Sequence, residues 1–588
     1  MKCICFDYCM ISVLTIGMVM SVQSSNNQKM LRFSNDPRRT FKLSEVPAII
    51  AVGLNYPDHA HQVANATPTS PIIFMKNRNS LTVHEDEVIV PPCSASPDYE
   101  AELGVIIKDT FRDSTEEDAL KHVLGYTVVN DISGRCWQKT WGQAYNISTH
   151  TKDDFDVCVG DGGQWPFSKS FDTHLPIGPV VVPQELLHDA SGLGIQLHLN
   201  GKLMQNDTTS NMIFDVRQVI SFISRGQTIE AGTIIAMGTM GGIGDTQTPR
   251  VVLKDNDIVT VTIEKIGSLI NKIRRETAAK MMTRESTTFK EMERSSDNND
   301  TKATRVVRFL DRNGKIQYGE PEEDINGHVV RAKLIESNNI YGSRAFTGET
   351  LEVVKILTPI DPVATLGIGL NYVKHSTESN MTVPLAPIVF FKNRKSITTA
   401  FGDVRINSHV VLPDYEGELA VIFGKDCKDR TRENALECVL GYSVANDVTA
   451  RCWQSNLYTN ITNGTSKCLG NGGQWTYSKS SIDMPLGRDL VFKDSLSSPD
   501  ASGLTVQTHL NSNLMQNETT DDMIFGIREL VEFVTKGTTI EQGTVLITGT
   551  PSGVGIARSP PVILKHGDIM RVTIDSIGTI ENRVTYAQ

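Results

Sequence analysis

Residues 98–138, DYEAELGVIIKDTFRDSTEEDALKHVLGYTVVNDISGRCWQ, align without a gap on residues 414–454, DYEGELAVIFGKDCKDRTRENALECVLGYSVANDVTARCWQ, with about 23 of 41 positions identical. The match continues through GGQWPFSKS and GGQWTYSKS, NDTTSNMIF and NETTDDMIF, and PRVVLKDNDIVTVTIEKIG and PPVILKHGDIMRVTIDSIG. Self-similarity of this length means that whatever fold one copy takes the other takes too, so the chain is a duplicated domain. Its 588 residues are too many for a single ordinary core, which agrees. The expected units are 30–275 and 356–588. Between them, 276–303 is charged, poor in aromatics and rich in Ser, Asp and Asn, as a linker is. Residues 304–355 form a small extra piece in front of the second unit, where DRNGK between apolar runs signals a hairpin.

Within each unit, short apolar runs punctuated by Gly and Pro dominate, so the fold class is α+β and mostly β. The clearest helical periods are STEEDALKHVLGY and NALECVLGY, which are expected to be helices. A formal charge of −11 with no Lys/Arg block argues against nucleic acid as a partner. Residues 1–25 carry one early Lys, an apolar run and small residues near Ser24, the layout of a secretory signal peptide. No later run reaches the length of a membrane span, so no membrane association is expected after signal removal.

The chemistry concentrates in DYEGELAVIF. Residues two apart on a strand share a face, so Glu416 and Glu418 project together, with Leu419 and Val421 on the other face. About thirty residues on, GYSVAND reads as a second strand that ends at Asp447, a third oxygen donor. Clustered carboxylates repel, and a cation offsets that charge; an all-carboxylate set suits Mg²⁺, Mn²⁺ or Ca²⁺ better than zinc. The first unit repeats the trio as Glu100, Glu102 and Asp131. A solvated acidic edge is the plainer alternative, and the apolar character of the surrounding strands weighs against it.

In order along the chain, GLNYVKH, DYEGELAV, GYSVANDVTARCWQ, GGQWTYSKS, MIF and TGTPSGVG resemble the fumarylacetoacetate hydrolase family. The resemblance covers almost all of both units. It implies a compact mixed-sheet β-roll, and a divalent cation held by Glu416, Glu418 and Asp447, with Glu100, Glu102 and Asp131 doing the same in the first unit. It further implies that His375 and Glu378 form a water-activating dyad in a lid, that Lys479 stabilises oxyanion or enolate charge, and that Arg451, Gln454 and Thr550 contact substrate. The implied reaction is metal-assisted C–C cleavage or decarboxylation of a small 1,3-dicarbonyl or 2-oxo acid. A keto–enol isomerase and a secreted non-catalytic metal binder are the alternatives. Relatives are commonly dimeric, so an internal pseudo-dimer or a homo-oligomer is expected. TGTPSGVG is no phosphate loop, since no Gly-Lys-Ser/Thr follows; its glycines are expected to form a tight turn beside the site.

The sequence departs from that family in four ways. Both units read Arg-Cys-Trp-Gln where relatives usually read Arg-Asp-Trp-Gln, at Cys136 and Cys452, and a second cysteine, Cys158 or Cys468, follows each. Cys427 and Cys438 occur together in the second unit, whereas Phe111 and His122 stand at both matching places in the first. Bridges 136–158, 452–468 and 427–438 are therefore expected, with Cys93 left over. Asn-x-Ser/Thr sequons at Asn65 and Asn380, Asn146 and Asn460, and Asn206 and Asn517 fit a secreted chain. Finally, Gln62 replaces Glu378, and Met237 and Met240 replace Thr548 and Pro551. Gln62 is expected to accept a hydrogen bond from His59 without the charge of a carboxylate, leaving the first unit with a metal site and a weakened base.

Overall fold

The computed structural model describes residues 29–63, 66–94, 96–138, 164–277, 302–325, 327–454 and 473–586. Each unit packs a large mixed sheet against a five-stranded sheet. In the first unit the large sheet runs Thr40–Lys42, Met30–Phe33, Leu175–Pro183, Val123–Asn130, Ala101–Ile107, Ile234–Ala236, Ile49–Gly53 and Ile72–Lys76, with Leu81–Val83 paired to Leu175–Pro183. In the second, Asp489–Phe492, Val439–Asn446, Gly417–Phe423, Val545–Ile547, Thr365–Gly369 and Ile388–Lys392 follow the same order. The central strand of each, Ala101–Ile107 or Gly417–Phe423, is buried on both faces, as its near-continuous apolar sequence requires.

The hairpin expected at DRNGK is present. Arg305–Leu310 pairs antiparallel with Ile316–Glu323, and Asp311 Oδ1 accepts the Asn313 and Lys315 backbone N–H groups across the turn. With Val329–Ile335 and Phe346–Glu352 these strands prolong the large sheet of the second unit through Asp489–Phe492 rather than standing apart from it.

The expected helices are not there. STEEDALKHVLGY contains a single 3₁₀ turn at Ala119–His122 and then enters the strand Val123–Asn130, and the second copy repeats this at Ala435–Cys438 and Val439–Asn446. The Val-Leu-Gly-Tyr segment gains a full antiparallel ladder against the central strand, which outweighs a weak local helical preference.

The two units pack on each other, and their apolar residues form one continuous core. Polar contacts across the interface come in matched pairs: Arg394 binds Glu230 through two bonds of 2.7 Å, and Arg78 binds Glu541. Asn393 Nδ2 donates to Thr228 O at 2.9 Å, and Asn77 Nδ2 to Thr539 O at 3.0 Å.

Cys427 and Cys438 are bridged. At the same place in the first unit, the rings of Phe111 and His122 stack at 3.9 Å, so a covalent bridge in one unit and a ring stack in the other close the same loop. Cys136 and Cys452 are disulfide-bonded, while Cys158 and Cys468 lie outside the described residues. Cys93 is free. Residues 1–28, most of the 276–303 linker, and Asn65, Asn146 and Asn460 also lie outside them; Asn206, Asn380 and Asn517 are exposed. No helix of the described residues is long and apolar enough to cross a membrane.

Candidate active site

Glu416, Glu418 and Asp447 converge, each buried, with one oxygen of each within 4.8 Å of the others; Glu100, Glu102 and Asp131 do the same. The register explains why. Gly417 pairs with Asn446, and the Asp447 N–H donates to Glu416 O at 2.8 Å, which brings the end of one strand level with the start of its neighbour. Glu416 itself falls just outside the strand, in the break between Pro413–Asp414 and Gly417–Phe423. The expected strand therefore starts one residue late, and the carboxylates still meet.

Cations surround the trio on one side. Lys479 Nζ donates to Glu416 Oε2 at 2.5 Å and to Asp447 Oδ2 at 2.6 Å, and Arg451 Nη1 lies 2.7 Å from Glu416 Oε1. Burial opposes ionisation of Glu416, but Lys479, Arg451 and, more weakly, His375 overcome it and hold the carboxyl down at about 2. Burial likewise works against the Lys479 charge, yet Asp447 and Glu416 keep its pKa above the usual lysine value.

Glu418 is different. Among the described residues its hydrogen bond comes from the Gly549 backbone N–H, at 2.7 Å, and from no cation. Burial, then the charges of Asp447 and Glu416, push its carboxyl well above the ordinary range. Three buried hard oxygen donors, one of them without a compensating charge, fit a hard divalent cation.

Two further residues were not singled out by sequence. Lys392 is fully buried and donates to Asp447 Oδ1 at 2.6 Å and to the Lys479 carbonyl; Lys76 donates to Asp131 Oδ1 at 2.5 Å and to the His174 carbonyl at 3.1 Å. Asp414 accepts from Arg451 Nε at 2.9 Å and from the Gly555 and Ile556 N–H groups, tying the arginine to the glycine loop. The repeats FKNR/MKNR and DYE/DYE carried both signals, hidden because a lone Lys or Asp is normally solvated.

Arg451 Nη1 also donates to Gln454 Oε1 at 3.0 Å, so these two expected substrate contacts form one unit at the trio. Thr550 is turned inward: its hydroxyl accepts from Gln516 Nε2 at 2.8 Å and donates to Gly417 O at 3.2 Å. The glycine loop is a tight turn, as expected. Gly549 has φ +94° and a Cβ there would sit 2.8 Å from Asn371 Cβ, so only glycine aims that N–H at Glu418.

The segment that carries His375 and Glu378 is helical over Val373–Glu378. One turn separates His375 from Glu378, and His375 Nδ1 meets Glu378 Oε1 at 2.7 Å, while the Gly553 N–H fixes Glu378 Oε2 at 2.8 Å. The first unit has the helix, Pro57–Gln62, but not the pair. Gln62 Oε1 accepts from the Gly242 N–H at 2.8 Å and from Thr246 at 3.2 Å, and His59 Nδ1 is buried with no hydrogen-bond partner among the described residues. The expected His59–Gln62 bond is thus absent, because the single amide oxygen is already committed to the glycine loop, whereas a carboxylate has two. Burial then lowers the His59 pKa to about 4.

Fold and trio define a duplicated β-roll protein with one carboxylate-lined site in each half. The family model described as Fumarylacetoacetate (FAA) hydrolase C-terminal matches residues 48–274 and 364–585, and the chain belongs to that family. It is 43% identical over 223 residues to an uncharacterized protein of Archaeoglobus fulgidus, covering 38% of this chain and 77% of that one. To the mitochondrial oxaloacetate tautomerase fahd2 of Xenopus laevis it is 40% identical over 233 residues, 39% of this chain and 68% of that one. A 2,4-didehydro-3-deoxy-L-rhamnonate hydrolase of Sphingomonas is 35% identical over 256 residues, 43% and 83% of the respective chains. Among solved structures, the fumarylacetoacetate hydrolase of Exiguobacterium antarcticum is 29% identical with a TM-score of 0.39, covering 48% of this chain and 99% of its own.

Proposed function

We propose that the second unit hydrolyses a carbon–carbon bond of a small 1,3-dicarbonyl or 2-oxo acid, with Mg²⁺ (or Mn²⁺ or Ca²⁺) held by Glu416, Glu418 and Asp447. The observation that carries this reading is the His375–Glu378 pair at 2.7 Å, present beside the trio here and absent from the first unit. A bound divalent cation supplies Lewis-acid polarisation of a substrate carbonyl. Glu378 accepts a hydrogen bond from His375 Nδ1–H, which leaves Nε2 as the base that removes a proton from water, and the Glu378 carboxylate stabilises the imidazolium that results. Lys479, buried and charged, offers its ammonium to negative charge that develops on a substrate oxygen. Arg451 and Gln454 orient the substrate's carboxylate end.

A second reading, keto–enol tautomerisation, is favoured by the 40% identity to a protein named oxaloacetate tautomerase. It needs proton transfer and no attack by water. Assays of the purified chain with acylpyruvates and oxaloacetate, with chelator and with Mg²⁺ or Mn²⁺ restored, separate the readings by product. Cleavage that is lost with chelator and regained with metal is expected; interconversion of enol and keto oxaloacetate without cleavage replaces hydrolysis by tautomerisation.

Secretion belongs to the same proposal. It is supported by the Cys427–Cys438 bridge and by the bonded state of Cys136 and Cys452, which suit an oxidising compartment. N-terminal sequencing of the mature chain tests it: a start near residue 26 is expected, and a retained Met1 with free thiols overturns it.

A further inference from the structure

One aromatic ring behind each site comes from the other unit. Lys479 lies on the helix Trp475–Ser480, and Arg451 and Gln454 on Arg451–Gln454. Between them, Tyr477 and Trp453 meet edge to face at 4.8 Å. The ring that closes this group is Phe222, from the helix Val216–Ser224 of the first unit: it stacks on Tyr477 at 4.6 Å and 21° and meets Trp453 edge-on at 5.8 Å. The converse holds on the other side. Phe533, from Ile527–Val534 of the second unit, stacks on Phe167 at 4.5 Å and 21° and meets Trp137 edge-on at 5.8 Å; Phe167 shares the helix Trp165–Lys169 with Lys169, and Trp137 the turn Arg135–Gln138 with Arg135.

The strand that brings Lys392 is tied in the same direction. The backbone N–H of Asn393, the next residue, donates to Ser480 Oγ on the Lys479 helix at 2.9 Å, and the Asn393 side-chain amide donates to Thr228 O of the first unit at 2.9 Å. Gln474, at the start of the Lys479 helix, accepts the Ile73 N–H of the first unit at 3.4 Å. Two contacts thus reach the Lys479 helix directly from across the interface, Phe222 on Tyr477 and Ile73 on Gln474, and a third is relayed through Asn393, while Phe533 of its own unit faces the other site.

From this geometry we infer that Phe222 and Phe533 are crossed positioning residues: Phe222 of the first unit sets the site of the second, and Phe533 of the second sets the site of the first. Neither ring touches substrate. Each acts through the aromatic pair that fixes the lysine helix against the Arg-Cys-Trp-Gln turn, and so fixes two of the three metal-ligating carboxylates: Glu416 and Asp447 through Lys479 and Arg451, or Glu100 and Asp131 through Lys169, which donates to both, and Arg135, which lies 2.6 Å from Glu100 Oε1. The inference rests on the reading of the trios as metal sites and is independent of which reaction follows.

Mn²⁺ affinity of full-length chains carrying one intact trio tests it. In the Glu100→Ala chain, where only the second trio remains, Phe222→Ala is expected to weaken Mn²⁺ binding about tenfold, the size typical of losing an outer-shell support, and Phe533→Ala to leave it within about twofold. In the Glu416→Ala chain the pattern reverses. Phe222→Leu, which keeps apolar volume so that the chain folds, should show the same loss in weaker form, and Phe222→Tyr, which keeps the ring, should restore binding. In the otherwise unaltered chain Phe222→Ala should lower kcat for the second unit's reaction more than it raises KM. Losses that fall in the unit carrying the substitution, or equally in both, overturn the crossed assignment. Absence of Mn²⁺ binding in both single-trio chains overturns the metal reading itself, which is a different failure.

Discussion

At the scale of single residues, the two units form a natural comparison in which a carboxylate in one stands where an amide stands in the other. Glu378 has two oxygens and uses both, one for His375 and one for the Gly553 N–H. Gln62 has one acceptor oxygen and spends it on Gly242, so His59 is left without an orienting partner and burial keeps its ring neutral. Glu378→Gln should therefore turn the second unit into a copy of the first: kcat for hydrolysis falls by about 10²–10⁴, the range for loss of general-base assistance, while KM and Mn²⁺ affinity stay near their starting values. Steady-state kinetics together with a metal titration check this. A fall in metal affinity of similar size would move Glu378 from the base to the support of the trio. The reverse change, Gln62→Glu, should give His59 a partner; a two-dimensional NMR spectrum of the histidine ring nitrogens would then report a new hydrogen-bonded Nδ1.

At the scale of elements, the same loop is closed by a disulfide in one unit and by a stacked Phe111–His122 pair in the other. The bridge spans a separation of 11 residues, short enough that its stabilisation comes to about 2–4 kcal/mol if the unfolded chain is otherwise free. Cys427→Ser with Cys438→Ser should lower the stability of the second unit by that amount in denaturant unfolding. Cys427→Phe with Cys438→His should recover part of it, since both rings fit the equivalent place in the first unit. No recovery would mean that the surrounding packing differs between the units. This pairing was legible in the sequence because both cysteines are present or both absent, a pattern that needs no geometry to read. The trios were legible for a similar reason: Glu-x-Glu and a later Asp recur in both copies within apolar runs. The segment STEEDALKHVLGY was misread, because its helical spacing is local whereas the ladder that makes Val123–Asn130 a strand lies against Ala101–Ile107. Lys392 and Lys76 were missed altogether. Their burial depends on two neighbouring strands and a helix that meet only in the fold, and no spacing along the chain announces that.

At the scale of the whole molecule, the interface between the units carries paired charges, stacked aromatic rings and a shared apolar core. A fragment of residues 302–588 would strip Tyr477 and Trp453 of the Phe222 ring that packs on them, and an exposed apolar surface of that kind self-associates or aggregates. Sedimentation of that fragment should show a dimer or larger species; a stable monomer with full activity would mean that the first unit is dispensable to the second. The intact chain poses the sharper question of how the work is shared. Both units keep the trio, the lysine and the arginine, but the first lacks the dyad and places Met237 and Met240, both buried, where the second has Thr548 and Pro551. On the proposed reading the first site holds a cation but has no base for water, and the expected result is one-sided. Glu416→Ala should abolish hydrolysis, whereas Glu100→Ala should leave most of it, with any loss traced to KM or stability rather than to kcat. Both chains should still bind about one cation each in place of two. If Glu100→Ala were the inactive one, or if each substitution removed half of kcat, the two sites would be equivalent in hydrolysis and the His375–Glu378 pair would not be what distinguishes them.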